Sequence, residues 1–351
     1  MTIEAFRTSF LPHLRSDLTS RTQRLAETAG DPLILSWLKH VVELSQGGKC
    51  LRPYLANEFY AACHGQAKED FLRTSVFLEI FHLFALVHDD IIDRGMTRHG
   101  LPTTQRFVLE TMEREDRIGD LEHVADGQAI LIGDLLLFWT ADIVHGADLA
   151  GMDRQAVWGA YREMLETVVI GEMIDVDICT RMTTDMAHVE RKSLLKSGHY
   201  SMLHPLVLGA AFAGSQEGMA LAREAGTPLG LAFQIQDDYL DIVGDAKHVG
   251  KVLMNDIAEG QHTFFTQYVA DHGTQQQRET LTRFRGTRVE GDDISTVREA
   301  FRASGALEAG ERAIREGYDA GKALLTAADF LAPEAREGIT DFIDRLKNRT
   351  K

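Results

Sequence analysis

Residues 69–92 read EDFLRTSVFLEIFHLFALVHDDII, and the spacing of their apolar side chains decides the fold class. Val76, Ile80, Leu83 and Val87 recur at helical spacing, and Phe77, Phe81 and Phe84 form a second stripe beside them. A helix that is apolar on most sides is a central, buried one. Similar periodicity runs over 129–145, 156–179, 185–213, 218–243, 257–272, 294–304 and 306–330, with a short final helix near 333–348. Only seven prolines occur, and no run of alternating β-branched residues competes. The expectation is an all-α protein, a single large helical bundle over 1–351 with its C-terminal helices at 294–348. The acidic segment 108–127 and the polar stretch 285–295 read as excursions from this bundle, the first lying on its surface.

The chain carries 53 acidic against 37 basic residues, a formal net charge of -16. That balance argues against broad binding to nucleic acid or to an anionic membrane, both of which need a basic footprint. Three cysteines without paired spacing point to neither a disulfide framework nor a zinc site, and fit a reducing cytoplasm. The first residues, MTIEAFRTSFLPHLRSDL, lack a secretory apolar region. The longest stretch without formal charge, 197–216, is broken by His199, His204 and Pro205, so a stable membrane span is not expected.

The oily stretch ends on three aspartates, Asp89, Asp90 and Asp93, and the D-D-x-x-D spacing returns as Asp237, Asp238 and Asp241 in QIQDDYLDIVGD. Residues four apart share a helix face, so Asp89 projects beside Asp93 and Asp237 beside Asp241. A solvated face is the usual fate of an acidic cluster, but two copies inside apolar helices call for bound cations. Mg²⁺ meets that need, because it takes oxygen ligands from one or two carboxylates together with substrate phosphates. Cations for the phosphates are at hand: Lys49 and Arg52 follow a Gly-Gly turn in GGKCLRP, Arg94 and Arg98 follow the first cluster, and Lys196 and Lys251 lie downstream.

The ordered set GGKCLRP, HLFALVHDDIID, TRHGLPT, LLKSGHY, FQIQDDYLDIVGD and GKVLMNDIAEGQHT resembles the trans-isoprenyl diphosphate synthase, or polyprenyl synthetase, family over about residues 40–265. KSGHYSMLHPLVLGA further resembles bacterial members. The resemblance implies a helical bundle around a central cavity and transfer of an allylic group from its diphosphate to isopentenyl diphosphate. Asp89 and Asp93 would bind two Mg²⁺ ions, and Asp237 a third with Asp241 behind it. Arg98, Lys196 and Lys251 match positions that hold the allylic diphosphate. Lys49, Arg52 and His82 match those that hold isopentenyl diphosphate. Gln234 and Ser197 fall where polar oxygens face the developing carbocation. Family members are usually homodimers.

Breaking an allylic C–O bond builds negative charge on the departing pyrophosphate, so metals and fixed cations lower the barrier. The resulting carbocation must meet an alkene and not water, which calls for an apolar, closed pocket. The chain departs from the family pattern at His99, where a second Arg is common, and at Gln261, where Lys is usual. Cys50 replaces a common Arg, and Glu172 occupies a frequent Gln position before Asp175. His99 is expected to contact isopentenyl diphosphate when protonated.

Phe84 lies five residues before Asp89, roughly 7.5 Å down the helix axis. With Ala85 beside it and no insertion in D-D-x-x-D, it resembles the chain-length residue of short-chain synthases, and Phe81 would form a deeper floor. Geranylgeranyl diphosphate, C20, is the expected product, with farnesyl diphosphate next. Two other readings stay open: a non-catalytic modulating subunit of a heteromeric synthase, and a class I terpene cyclase.

Overall fold

The computed structural model describes residues 1–244 and 253–349. Lys251, matched above to the allylic diphosphate, lies outside the described residues. The chain divides into two compact units, 1–57 with 66–152 and 58–65 with 153–351.

The first unit opens with α1, Ile3–Ala29, and α2, Pro32–Leu44. In α1, Phe6, Phe10, Leu14 and Leu18 repeat every four residues, and all are fully buried. Thr2 caps its start by accepting from the Ala5 N–H, and Gly30, in the left-handed region, closes its end. Helices α3, Leu51–Ala62 (its residues up to Asn57 in this unit), α4, Lys68–Thr74, and α5, Val76–Ile92, follow. The only strand pairing among the described residues is a hairpin of β1, Thr97–Arg98, with β2, Leu101–Pro102. It leads into α6, Thr104–Arg114, and α7, Leu121–Gly146. As the sequence predicts, α5 is central: it packs on α1, α6 and α7, and Phe77, Leu78, Ile80 and Phe81 are wholly buried.

The second unit holds α8, Arg154–Cys179, and α9, Met186–Ser193, which runs through a π-helix, Leu194–Leu203, into α10, His204–Phe212. The long α11, Gln216–Val243, is followed by α12, Asn255–Ala258, α13, Phe264–His272, and α14, Gln275–Phe284. Helices α15, Asp292–Ala303, α16, Ala306–Thr326, and α17, Pro333–Lys347, complete it. Here α11 packs on α16, α10 and the π-helix. A Cβ on Gly198 of the π-helix would stand 2.7 Å from the Gly230 carbonyl oxygen of α11, so the two backbones meet where neither carries a side chain.

The all-α expectation holds, and several boundaries change. Segment 108–127 is not an excursion throughout. Val108, Leu109 and Met112 are buried on α6, which packs on α2 and α7, and only 115–120 form an exposed turn. Charged residues on the outer face of α6 masked that amphipathic stripe. The polar stretch 285–295 is a loop only to Gly291, and Asp292 starts α15. The run 257–272 is two helices parted at 259–263. Among the described residues α7 is long and apolar enough to cross a membrane by length and composition, with 39% of its apolar window buried, a property that core helices of soluble proteins share.

Candidate active site

Helix α5 ends in the middle of its aspartates. Arg94 adopts a left-handed conformation, the Gly95 N–H donates to the Asp90 carbonyl at 2.8 Å, and the Arg94 N–H to that of Ile91 at 3.3 Å. This is a Schellman stop with Asp93 as C-cap, so Asp89, Asp90 and Asp93 all fall in the final turn and its cap. The C-terminus of a helix is the negative end of its dipole, where carboxylates are disfavoured and cations favoured. Three acids there make a site that wants positive charge.

Part of that charge is built in. Asp90, 5% exposed, accepts two bonds from Arg98, Nε at 2.8 Å and Nη2 at 2.6 Å. The same Nη2 stands 3.7 Å from Asp89. Gln105 on α6 donates to the Asp90 and Gly95 carbonyls at 2.8 and 3.0 Å, locking the helix end to the next helix. Asp90 therefore fixes Arg98 beside Asp89, while Asp89 and Asp93 are half-buried.

The Gly-Gly loop is pinned in the same unit. Arg7 of α1 donates to the Gly48 carbonyl at 2.9 Å and to that of Gln46 at 2.6 Å. On the other side Glu79 of α5, 2% exposed, lies so close that a Cβ on Gly48 would stand 2.3 Å from its Oε1. Burial pushes the Glu79 carboxyl up to about 7, against the pull of Arg52 and Arg7. After the loop, Lys49 is exposed and Arg52 buried at the start of α3. His99, at the hairpin tip with φ 53°, lays its ring over Gly47, where a Cβ would approach it to 2.6 Å. The unit thus brings Lys49, Arg52, His99, Arg98, Asp89 and Asp93 into one set of linked elements, with His82 half-buried on α5.

Below these groups, Phe81 and Phe84 meet at 5.4 Å between ring centroids, and Phe84 meets the His88 ring edge-on at 4.9 Å. Phe81 is fully buried, Phe84 is 8% exposed, and Ala85 is half-buried.

In the second unit α11 repeats the device, with Asp237, Asp238 and Asp241 in its last turns before Gly244. Their fates differ. Asp238 is turned inward, 6% exposed, and accepts from the Gln234 side-chain N–H at 2.7 Å. Asp241 accepts from the backbone N–H groups of Asn255 and Asp256 at 3.1 and 3.2 Å, capping α12. Asp237 stays accessible and accepts from Arg349 at 2.9 Å. Buried Gln236 draws that C-terminal segment in, donating to the Leu346 carbonyl at 2.8 Å while accepting from the Tyr318 hydroxyl at 2.8 Å.

Lys196 and Ser197 sit half-buried in the π-helix, a geometry frequent at functional sites. Lys196 Nζ reaches Asp175 at 2.7 Å and Glu172 at 2.9 Å. Lys192, 8% exposed, pairs with the other Asp175 oxygen at 3.0 Å.

Among the described residues no three or more His, Cys, Asp or Glu side chains form a ready cage for a metal ion. The donors at both helix ends are carboxylates alone, which fits a hard cation such as Mg²⁺ that shares its shell with phosphate oxygens. Sequence spacing missed Asp90, Glu79, Lys192 and Arg349 as working residues. The partners of Glu79 and Arg349 are distant in the chain, so no local pattern announces them.

Comparison with known proteins agrees with this geometry. The sequence profile of the Polyprenyl synthetase family matches residues 32–303. A short chain isoprenyl diphosphate synthase of Methanothermobacter thermautotrophicus is 30% identical over 337 residues, covering 88% of this chain and 94% of the relative. A geranylfarnesyl diphosphate synthase of Aeropyrum pernix is 26% identical over 316 residues, covering 88% and 92%. The crystal structure of a geranylgeranyl pyrophosphate synthase from Corynebacterium glutamicum, complexed with isoprenyl diphosphate and magnesium, superposes with a TM-score of 0.92 at 27% identity. It covers 99% of this chain and all of that one.

Proposed function

The chain belongs to the polyprenyl synthetase family, and from that premise we propose that it condenses an allylic diphosphate with isopentenyl diphosphate to give a short-chain trans-prenyl diphosphate. The observation that carries this reading is the pair of helices, α5 and α11, that each end on a D-D-x-x-D cluster at the negative pole of the dipole. Asp89, Asp93, Asp237 and Asp241 would hold Mg²⁺, three ions per site. When bound, the metal takes up the negative charge that grows on departing pyrophosphate.

The chain's own residues do the rest. Arg98, fixed by Asp90, and Lys196, held by Asp175 and Glu172, meet the allylic diphosphate, as does Lys251. Lys49, on a loop that Arg7 pins and Glu79 packs against, and Arg52, at the start of α3, bind isopentenyl diphosphate together with His82 and protonated His99. Gln234 spends its N–H on Asp238, which leaves its carbonyl oxygen to face the carbocation with Ser197. The pyrophosphate removes the final proton, so no strong protein base is required.

The product is C20 geranylgeranyl diphosphate, with C15 next. Phe84 and Phe81 close the path of the growing chain, and the half-buried Ala85 leaves room for it to reach them. The enzyme acts as a homodimer in the cytoplasm. In support, Val124, Leu131 and Phe138 are exposed at seven-residue spacing on α7, and Val169, Met173 and Val176 are exposed along α8. Product chromatography with C5, C10 and C15 primers tests the assignment, beside light scattering for the oligomer. Extension to C20 by a dimer is expected. A hydrocarbon from primer alone marks a cyclase, and no turnover by folded protein marks a modulating subunit.

A further inference from the structure

Asp175 is 3% exposed on α8, and three donors converge on it. Lys192 Nζ pairs with one carboxylate oxygen at 3.0 Å. Lys196 Nζ and Gln261 Nε2 reach the other at 2.7 and 3.3 Å. The Gln261 carbonyl oxygen in turn lies 3.4 Å from Lys192 Nζ. One buried acid is therefore shared between a buried lysine and the lysine that, on the reading above, meets the allylic diphosphate.

Enclosing a lysine is costly unless its charge is answered. Burial works against the charge of Lys192, but Asp175 and Asp238 outweigh it and its pKa is raised. Lys192 thus stays a cation although it is nearly enclosed. Its charge neutralises Asp175, which otherwise draws on Lys196 alone, and it also faces the inward-turned Asp238 at the end of α11. Gln261 is the neutral side chain that touches both Asp175 and Lys192.

We propose that Lys192 is a positioning residue: by sharing Asp175 it weakens that acid's hold on Lys196, whose ammonium then turns to the allylic diphosphate, and position 261 is a second seat for the same single charge. This rests on the role given to Lys196 above. Because Lys192 is buried, it acts through Asp175 and does not touch substrate.

The test is a charge relocation in the full-length protein, using Lys192→Met, Gln261→Lys and the double variant. Lys192→Met should lower kcat/KM for the allylic substrate about 10- to 100-fold, as when the partner that orients a site group is lost. The loss should appear as a raised KM for the allylic substrate, with the KM for isopentenyl diphosphate unchanged. The double variant should recover most of that loss. Gln261→Lys alone should weaken the enzyme, since two cations then crowd one acid. A double variant as impaired as Lys192→Met, an equal rise of both KM values, or Gln261→Lys at native activity or better overturns the proposal.

Thermal unfolding of the Mg²⁺-free proteins supplies a readout independent of turnover. The Tm should fall by about 5 °C in Lys192→Met, the cost of removing one partner of a buried ion pair, and return in the double variant. No recovery refutes the shared seat, whatever the activity of the native protein. A native protein that extends no primer while the Tm values follow this pattern contradicts the function and leaves the charge seat standing.

Discussion

Replacing Glu79 by glutamine isolates the carboxyl that lies against Gly48. The folded protein holds it near 7, well above the ordinary carboxyl value of 4.5, because it is buried. At low pH the carboxyl is neutral in both folded and unfolded chains, so it contributes no pH dependence. As pH rises past 4.5 the unfolded chain ionises while the folded one keeps its proton, and stability is lost up to the folded value near 7. The gap of some 2.5 units corresponds to about 3 kcal/mol. For a chain of this length that is a Tm change of about 4 °C. A glutamine at this position cannot ionise, so the Tm of the Glu79→Gln variant minus that of the native protein should climb by about this amount between pH 5 and 8.5. Calorimetry or circular dichroism across that range, without Mg²⁺, reads the difference directly. A difference that stays flat refutes the buried neutral carboxyl. A flat difference with the variant less stable than the native protein throughout shows Glu79 ionised and paired with Arg52 in the folded protein.

Three further outcomes follow from the site. Phe84→Ala removes an aromatic that is 8% exposed; it should lengthen the products seen by chromatography and cost about 3 kcal/mol in denaturant unfolding. Asp90→Asn breaks the two-point hold on Arg98 and should lower kcat/KM about 10- to 100-fold, mainly in the allylic substrate. For His99, the KM for isopentenyl diphosphate should rise from pH 5.5 to 8 in the native protein and stay flat in His99→Arg; equal flatness in both removes the imidazole from that role.

Helical periodicity made the core legible. The stripes of α5 and α11 are long, apolar and uninterrupted, and α5 is the buried helix that its phenylalanines predict. Less legible was α6, because its apolar residues are few and set among acids, so charge overrode a three-residue stripe. The spacing of the D-D-x-x-D motifs identified the carboxylates and set the first and last of each cluster on one face, but it gave the middle acid no role. Packing separates them: Asp90 and Asp238 turn inward to hold Arg98 and Gln234, and Asp89, Asp93 and Asp237 stay accessible. Periodicity says which face a residue shares, whereas burial on the neighbouring element decides whether that face meets a ligand or a partner. For the same reason Lys192 carried no sequence signal, since its partners stand on α8 and beyond α12.

The most direct test of the account is incorporation of labelled isopentenyl diphosphate into an acid-labile prenyl diphosphate, by the native protein and by Asp89→Ala and Asp237→Ala, with Mg²⁺ and after chelation. The account predicts incorporation and equal release of pyrophosphate by the native protein with Mg²⁺, none after chelation, and a loss of at least about a hundredfold in each variant. Full incorporation by either variant, or by the chelated protein, would contradict it.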